Sequence, residues 1–274
     1  MALTGCELTH GPQYVQESYI VDPIKIGTRR TIRMRHGFMA IMPGLVLLAL
    51  LACSTSTPNG PQPHSLTFLS ARELVVGNNP EAIAAGSFRR NNALLDLAVA
   101  NGGSNTVSVL LGNGDGTFQP PVSYNVGTYP WFVATADINA DQVLDLVVSN
   151  RDSADLTVLL GVGDGTFRFA GTIALSEQPF SIGVGDFNSD GRQDLVVTNL
   201  TNTFLLLGNG DGTFQLPTQI DTVGSETRFV AVADLNGDGI PDLAVTNWRG
   251  VDTITTALGR GDGTFRTVGT VHTG

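Results

Sequence analysis

Asp234-Leu-Asn-Gly-Asp-Gly-Ile-Pro-Asp242 is a loop with acidic or amide side chains at positions 1, 3, 5 and 9 and a glycine at position 6. It runs directly into the apolar segment Leu243-Ala-Val-Thr-Asn247. Ca²⁺ takes about six to eight oxygen ligands, and the position 7 carbonyl of Ile240 can add one where the chain bends around the ion. Because aspartate and asparagine also favour such turns without a metal, a single copy leaves both interpretations open.

The same loop recurs twice upstream, at residues 137–145 and 186–194. A Leu-Val-Val or Leu-Ala-Val segment follows each copy, and an asparagine lies 13 residues after the first aspartate each time, at Asn150, Asn199 and Asn247. Three copies in the same context indicate internal repeats.

A second marker, Gly-Asp-Gly-Thr-Phe, ends at Phe118, Phe167, Phe214 and Phe265, in steps of 49, 47 and 51 residues. Propeller blades have periods of about 40–50 residues. Within one repeat the apolar and turn residues predict four short strands, at 131–136, 146–149, 156–160 and 167–174. We therefore predict an all-β fold, a β-propeller of four ~49-residue blades.

Two features distinguish the repeats from one another. In the first repeat, Ser87 to Asp96 carries one extra residue and two arginines, and only the last aspartate of the loop remains. We expect no calcium there. In the 137–145 loop, Gln142 replaces the glycine, which should make this loop the weakest of the three because glutamine disfavours positive φ. The Gly-Asp-Gly aspartates, such as Asp164, are predicted to be turn residues rather than metal ligands, with the following Phe packing between blades.

Composition narrows the function classes. Many glycines, few aromatic residues and a formal charge of −10 fit a β-rich protein and argue against nucleic acid as a partner. The two cysteines, Cys6 and Cys53, both precede the repeats, and the four histidines are scattered, which argues against a zinc site. We find no nucleophile with its base at motif spacing, so we predict that the chain is not an enzyme.

The N-terminal region predicts export. A basic segment runs into about 15 mostly apolar residues and ends in Leu50-Leu51-Ala52-Cys53, which resembles the bacterial lipobox. We therefore predict lipidation at Cys53 and display on the outer membrane or cell surface, with an ordinary secretory signal as the alternative. The expected divisions are a non-native extension (1–33), a signal peptide (34–52), a Pro/Ser/Thr-rich tether (53–65) and the repeats (66–274).

The repeats resemble the FG-GAP/VCBS family, which builds the integrin α-subunit β-propeller. The resemblance rests on the three loops and on the Phe-x-x-Gly-x-Gly-Asp-Phe run from Phe180 to Phe187. It implies structural Ca²⁺ between the first and second strands of a blade, at up to three sites. The implied ligands, including the position 7 carbonyls, are Asp137, Asn139, Asp141, Val143, Asp145, Asp186, Asn188, Asp190, Arg192, Asp194, Asp234, Asn236, Asp238, Ile240 and Asp242. Integrin-type propellers have seven blades, so we expect these four either to close or to belong to a larger propeller.

The leading functional hypothesis is a surface-anchored module that binds a protein or glycan partner, as in adhesion. The turn after the second strand is the candidate platform, especially Trp248 and Arg249, because an aromatic ring beside arginine suits a sugar or peptide. The simpler alternative is that Trp248 only covers a blade edge. A second hypothesis is a lectin-like propeller or an accessory domain of an enzyme that acts on extracellular polysaccharides. The dissimilar turns of the four repeats weaken this second hypothesis.

Overall fold

The structure is a computed structural model, and it describes residues 73–220, 227–248 and 253–272. All of these belong to the second of two compact units, Ile41–Gly274. The first unit, Met1–Ala40, lies outside the described residues. The predictions for the signal peptide, the tether and Cys53 also lie outside them, as does Arg249.

Within the described residues, sixteen strands form four antiparallel sheets of four strands each. Blade 1 contains β1 (Pro80–Gly86), β2 (Asp96–Asn101), β3 (Thr106–Leu110) and β4 (Val122–Asn125). Blade 2 contains β5 (Pro130–Ala136), β6 (Asp145–Asn150), β7 (Asp155–Gly161) and β8 (Phe167–Ala174). Blade 3 contains β9 (Pro179–Gly185), β10 (Asp194–Asn199), β11 (Thr203–Leu206) and β12 (Thr218–Ile220). Blade 4 contains β13 (Thr227–Ala233), β14 (Asp242–Asn247), β15 (Thr253–Gly259) and β16 (Phe265–His272).

Each sheet keeps its strands in chain order, as a meander. The predicted all-β propeller of four blades is therefore confirmed, and the four strands predicted for blade 2 lie where they were expected. A short 3₁₀ turn, Gly102–Ser104, follows β2. Within the described part of the chain, no helix is long and apolar enough to cross a bilayer.

The apolar core lies between consecutive blades. Every residue of β6 and of β10 is buried in sheets that have a neighbouring blade on each face, and β2 of blade 1 is equally buried. Between blades 1 and 2, the rings of Phe88 and Phe167 meet edge to face with centroids 5.2 Å apart. The phenylalanines that end the second, third and fourth Gly-Asp-Gly-Thr-Phe markers pack between blades, as predicted, whereas Phe118 packs within blade 1 against Leu74 and Val76.

The Gly-Asp-Gly segments are hairpin turns, as the sequence predicted. In the blade 2 turn, Gly163 and Gly165 both have φ of 92°. The Asp164 carboxylate accepts hydrogen bonds from the backbone N–H of Thr166 (2.8 Å) and from its hydroxyl (2.5 Å). These bonds lower the pKa of Asp164. The aspartate therefore stabilises the turn, and the other three turns repeat the arrangement.

The two ends of the row of blades differ from the interfaces inside it. Val133 of β5 packs against blade 1 and is 1% exposed, whereas Ile83, at the same register position in β1, is 41% exposed. On the other face, Ile138 of blade 2 is 2% exposed, whereas its counterpart in blade 4, Leu235, is 50% exposed. Within the described residues, these two positions are thus less covered at the end faces, although Leu97 and Val99 on the outer face of blade 1 are buried with Leu74 and Val76.

Candidate functional site

The acidic loops connect the first strand of a blade to its second. In blade 2 the loop lies between β5 and β6, whose ends pair through Ala136 and Asp145. In blades 3 and 4 the pairs Gly185 with Asp194 and Ala233 with Asp242 enclose the equivalent loops. Because all three loops join the same strand ends, they lie on one rim of the blades.

Positions 1, 3 and 5 of each loop hold the turn together. In blade 2 the Asp137 carboxylate accepts hydrogen bonds from the backbone N–H groups of Asp141 (3.0 Å) and Gln142 (2.8 Å). The Asp141 carboxylate accepts one from the N–H of Val143, at 2.8 Å. The Asn139 side-chain amide donates to Asp141 at 3.2 Å. The loops at 186–194 and 234–242 repeat this pattern.

The aspartate at position 9 has a different environment. Asp145 is 0% exposed, and its two oxygens accept hydrogen bonds from the backbone N–H groups of Ile138 (3.0 Å) and Gly161 (2.8 Å). Its carboxylate therefore joins the start of the acidic loop to the end of the third strand. Asp96, Asp194 and Asp242 make the same two bonds and are equally buried. We refer to these four residues as the clasp aspartates.

The donor set suits a hard cation, although the loops are closed by their own hydrogen bonds. Among residues 73–220, 227–248 and 253–272, no three acidic, histidine or cysteine side chains are grouped closely enough to hold a metal ion. The carboxylates nevertheless interact: in addition to burial, which is the largest cause, Asp141 and Asp137 raise the pKa of Asp145, and Asp190 and Asp186 raise that of Asp194. Carboxylate, amide and carbonyl oxygens are the ligands that Ca²⁺ prefers. The side chains thus have the oxygen atoms that Ca²⁺ binds. The amide at position 3 would have to turn its oxygen toward the ion.

Because Asp145 is buried, we predict that its carboxyl group has a raised pKa. Desolvation raises its pKa from the ordinary 3.8 to about 6, against the opposing effect of its two backbone hydrogen bonds. Since the folded pKa is the higher one, this carboxyl stabilises the calcium-free fold below pH 3.8, and that contribution is lost as the pH rises through about 6. We expect a carbon-13 NMR titration in EGTA to show this shift, with Asp164 titrating below 3.8 in the same spectra. A value for Asp145 at or below that of Asp164 would contradict the prediction.

The first loop contains an arginine where the other loops have asparagine. Arg89 follows Phe88, whose N–H bonds to Asp96 just as that of Ile138 bonds to Asp145, so Arg89 corresponds to loop position 3. Its guanidinium contacts Asp96 at 2.6 Å and 3.3 Å and donates to the Gly112 carbonyl at 2.9 Å. A permanent positive charge thus lies beside the clasp aspartate of blade 1.

Two residues of the second loop have strained backbone angles, and an arginine of blade 1 lies beside this loop. Ala140 and Gln142 have φ of 58° and 67°, where the fourth loop has Gly237 and Gly239. Arg90 lies 3.6 Å from the Asp141 carboxylate, and its backbone N–H donates to the Gly163 carbonyl at 2.8 Å. The sequence anticipated the strain at Gln142 but not the contribution of Arg90.

The opposite rim holds a series of aromatic rings and arginines. This rim contains the starts of the first strands and the ends of the second strands, which pair, for example, through Pro130 and Asn150. Trp131 and Phe180, the second residues of β5 and β9, meet edge to face with centroids 5.7 Å apart. The Arg228 guanidinium lies 4.6 Å from the Phe180 ring and 4.2 Å from the Trp248 ring.

The series continues toward blade 1. The Arg151 guanidinium lies 4.0 Å from the Tyr129 ring and 5.2 Å from the Trp131 ring, and it also bonds to Asp152 at 2.7 Å. The Tyr129 hydroxyl donates to Glu81 at 2.8 Å, which raises the pKa of Tyr129. We call this set the aromatic rim; its members are Tyr129, Trp131, Arg151, Phe180, Arg228 and Trp248.

The aromatic rim modifies the predicted platform. Trp248 is 48% exposed, and the guanidinium of Arg228, from the start of β13, lies over its ring. The sequence interpretation missed Trp131, Tyr129 and Arg228. For Trp131 and Arg228 the signal was the equivalent position in each repeat, the second residue of the first strand, which is occupied by Glu81, Trp131, Phe180 and Arg228.

Comparison with known families gives one match, repeated along the chain. The family described as FG-GAP-like repeat matches residues 91–148, 137–197 and 186–245. Together these matches extend over residues 91–245, more than half of the 274-residue chain. No curated protein matches the chain.

Several solved structures have a similar fold at low sequence identity. A structure of BBS1N in complex with ARL6DN aligns with 76% of this chain and 59% of the matched chain, at 17% identity and a TM-score of 0.51. An Agrocybe aegerita lectin that recognises non-reducing terminal N-acetylglucosamine aligns with 69% of this chain and 50% of its own, at 22% identity and a TM-score of 0.48. The V. cholerae biofilm matrix protein Bap1 aligns with 70% of this chain and 28% of its own, at 18% identity and a TM-score of 0.44. In each case the chain spans less than two thirds of the matched chain.

Proposed function

Because the chain belongs to the FG-GAP-like repeat family, we propose that it is a binding module without catalytic activity, which takes a protein or glycan partner on the aromatic rim. The observation that carries the proposal is the run of aromatic rings and guanidinium groups across blades 2, 3 and 4. Tryptophan, tyrosine and arginine are the residues most enriched where binding energy concentrates in protein interfaces.

The chemistry of the rim suits either kind of partner. The half-exposed face of Trp248 offers an apolar surface for a sugar ring or an apolar side chain. The guanidinium of Arg228 can remain stacked on the ring while it donates hydrogen bonds to a hydroxyl or carbonyl. A shallow depression of about 240 Å³, lined by Glu177, Gln178 and Leu200, adds concave surface at the same rim of blade 3.

The acidic loops have a separate role in this proposal: they hold Ca²⁺ as a structural ion. Asp137, Asp186 and Asp234 with their partners at positions 3, 5 and 7 would supply the oxygens, and the bound cation would offset the mutual repulsion of the carboxylates. The loops lie on the rim opposite to the aromatic residues, so the ion would stabilise the blades without contacting the ligand.

Export completes the proposal. Extracellular calcium, at about 1 mM, is in the range that weak sites of this class require. The lipobox-like sequence that ends at Cys53 would place the repeats outside the bacterial cytoplasm, on the outer membrane or cell surface.

Substitution of Trp248 tests the binding surface. We expect the purified chain to bind a subset of spots on an array of glycans and immobilised extracellular proteins, and Trp248→Ala to weaken that binding by roughly 10-fold or more, as for a hot-spot residue. The matched control is Phe169→Ala, since Phe169 is 62% exposed on the outer strand β8. Equal binding by the Trp248 variant and the control would exclude the aromatic rim as the site.

Removal of calcium tests the structural role of the ion. With dissociation constants of about 0.1–1 mM, 1 mM Ca²⁺ would stabilise the fold by roughly 0.4–1.4 kcal/mol for each occupied loop. We expect the melting temperature to fall by several degrees when EGTA replaces calcium. Asp238→Asn should reduce this calcium effect, and Asp262→Asn, which alters a turn, should leave it unchanged. An equal melting temperature with and without calcium would contradict the structural role proposed for the ion.

A further inference from the structure

The outer face of blade 4 repeats the side-chain pattern of a face that is covered elsewhere in the molecule. That covered face belongs to blade 2 and packs against blade 3. Its buried residues include Ala134, Ile138, Leu156 and Leu160, and the same strand and loop positions of blade 4 hold Ala231, Leu235, Ile254 and Leu258. These four residues of blade 4 are all partly or largely exposed. Blade 4 thus presents one apolar half of a blade interface.

A hydroxyl on the same face is placed for a hydrogen bond that two other blades make. Thr198 of β10 accepts a hydrogen bond from a backbone N–H of β9 and donates one across the interface to the Arg228 carbonyl of blade 4, at 3.0 Å. Ser149 makes the same kind of bond from blade 2 to blade 3. Thr246 has this position in β14, is exposed, and accepts a bond from the N–H of Phe229 at 3.1 Å. It can therefore donate to the first strand of a further blade.

The loops and turns at the two ends of the row are complementary as well. Gly263 of the blade 4 turn donates its N–H to the Phe187 carbonyl of the blade 3 loop at 2.9 Å, and an equivalent bond joins blades 1 and 2. The loop of blade 4 has Leu235 at this position, and the turn of blade 1 has Gly116. Within the described residues, neither takes part in such a bond. Blade 4 thus offers the acceptor, and blade 1 offers the donor.

The outer face of blade 1 has the other half of the apolar contact. Ile83 is 41% exposed and has the place in β1 that Ile182 has in β9, where it is 0% exposed against blade 2. Leu97 and Val99 likewise repeat two residues of β10 that pack on blade 2. Blade 1 therefore repeats the contact surface of blade 3, and blade 4 repeats the surface of blade 2 that receives it.

Part of the blade 1 face is covered from within the chain. Leu74 and Val76 pack on its second and third strands. Leu74 is as far ahead of β1 as Ile173 of β8 is ahead of β9, so Leu74 has the place of a fourth strand of a preceding blade. Val271 has that place in β16. Since β16 pairs with β15 along its whole length, whereas residues 73–76 contain a single bridge residue, residues 73–76 would yield to a docked β16.

We infer that the occupant of these faces is a second copy of the chain, with blade 4 of each copy docked on blade 1 of the other. Contacts between two different faces lead to a ring if the rotation closes and to a filament if it does not. Two copies supply eight blades, the upper end of the usual range for propellers, and a third copy would exceed it. Two copies therefore close the ring, and both aromatic rims lie on the same side of it.

Sedimentation velocity over a concentration series tests the association. We expect the purified chain to interconvert between one and two copies, with no larger species. Ile83→Arg and Leu235→Arg should each weaken the association by roughly 10-fold or more, since each places a charge in an apolar interface. Phe169→Arg is the matched control, because Phe169 is exposed on an outer strand away from both end faces. A single copy at all concentrations, or an unchanged dissociation constant in either variant, would overturn the inference, and larger species would overturn the closed ring.

A mixture of the two variants separates this arrangement from other dimers. Each variant keeps one intact face, so Ile83→Arg and Leu235→Arg together should form a pair through the one interface that contains neither substitution. This pair should be weaker than the unmodified dimer, because one of its two interfaces remains disrupted. If blade 4 instead contacted blade 4 of the partner, Ile83→Arg alone would have no effect and mixing would restore nothing. That result would overturn the head-to-tail arrangement, and variants that had lost their fold would likewise fail to pair and would be recognised by their thermal melts.

Residues 73–76 provide a test in the opposite direction. Leu74→Ser should strengthen the association severalfold, because it weakens the segment that β16 of the second copy must displace. Val75→Ser is the matched control, since Val75 is 82% exposed in the same segment and should leave the dissociation constant unchanged. A dissociation constant that is equal in the two variants, or higher in Leu74→Ser, would overturn the displacement of residues 73–76.

Discussion

Asp194→Ala is expected to lower the free energy of unfolding by roughly 2–6 kcal/mol, about 1–3 kcal/mol for each of two buried donors that lose their acceptor. These donors are the backbone N–H groups of Phe187 and Gly208, at 2.9 Å and 2.8 Å from the carboxylate. Water does not reach the Asp194 carboxylate that these donors contact, because Asp194 is 0% exposed. The substitution would therefore release the acidic loop from the third strand of blade 3.

The appropriate measurement is chemical denaturation in EGTA. Without calcium, the change in the free energy of unfolding reflects the lost hydrogen bonds of Asp194 and not the loss of a metal ligand. Asp211→Ala is the matched control: Asp211 makes two hydrogen bonds to Thr213 within an exposed turn. Its loss should cost no more than about 1 kcal/mol, as for a typical solvent-exposed hydrogen bond. Equal losses for the two variants would show that the buried carboxylate has no special role. Asp194→Asn should lie between them, because the amide retains one acceptor oxygen.

The clasp aspartates also show how one residue can serve two purposes. Each carboxylate oxygen of Asp194 accepts one backbone hydrogen bond, which leaves a second lone pair on each oxygen for an ion. In blade 1 the same geometry persists around Asp96, where Arg89 supplies the charge. The clasp is thus common to the four repeats, and in blade 1 an arginine accompanies it.

Much of the fold could be predicted from the sequence because the signals are local and repeated. Apolar runs such as Leu146-Val-Val end at turn residues, and the Gly-Asp-Gly turns fix the hairpin between the third and fourth strands. The same order of apolar runs and turns in four repeats predicts the same strand order in each blade. As a result, the predicted strands of blade 2 differ from those observed by no more than one residue at either end.

The contents of the two rims were harder to predict because they depend on residues distant in the sequence. Arg228 meets Trp248 only after β13 and β14 pair in register. Asp145 is buried through a bond to Gly161, 16 residues later, which the loop pattern alone does not reveal. In the first repeat, the sequence showed that acids were missing, but the direction taken by the Arg89 side chain required the structure.

The second large effect is expected at the interface between blades 2 and 3. Ile138→Ala should lower the free energy of unfolding by about 2–5 kcal/mol, as for other buried large-to-small substitutions. Ile138 is 2% exposed and belongs to the cluster that contains Leu160 and Leu195. The cost combines the lost apolar burial with the cavity left between two blades.

Leu235→Ala is the matched experiment, because Leu235 has the same loop position in blade 4 but is 50% exposed. Surface substitutions of this kind usually change stability by about 0.5 kcal/mol or less. We expect the free energies of unfolding of the two variants, measured at low protein concentration, to differ by at least about 1.5 kcal/mol. If Leu235→Ala proves as costly as Ile138→Ala, the outer face of blade 4 is covered in solution, and a concentration series then separates the two causes. A cost that grows with protein concentration indicates a second copy of the chain, whereas a constant cost indicates cover from within the same molecule.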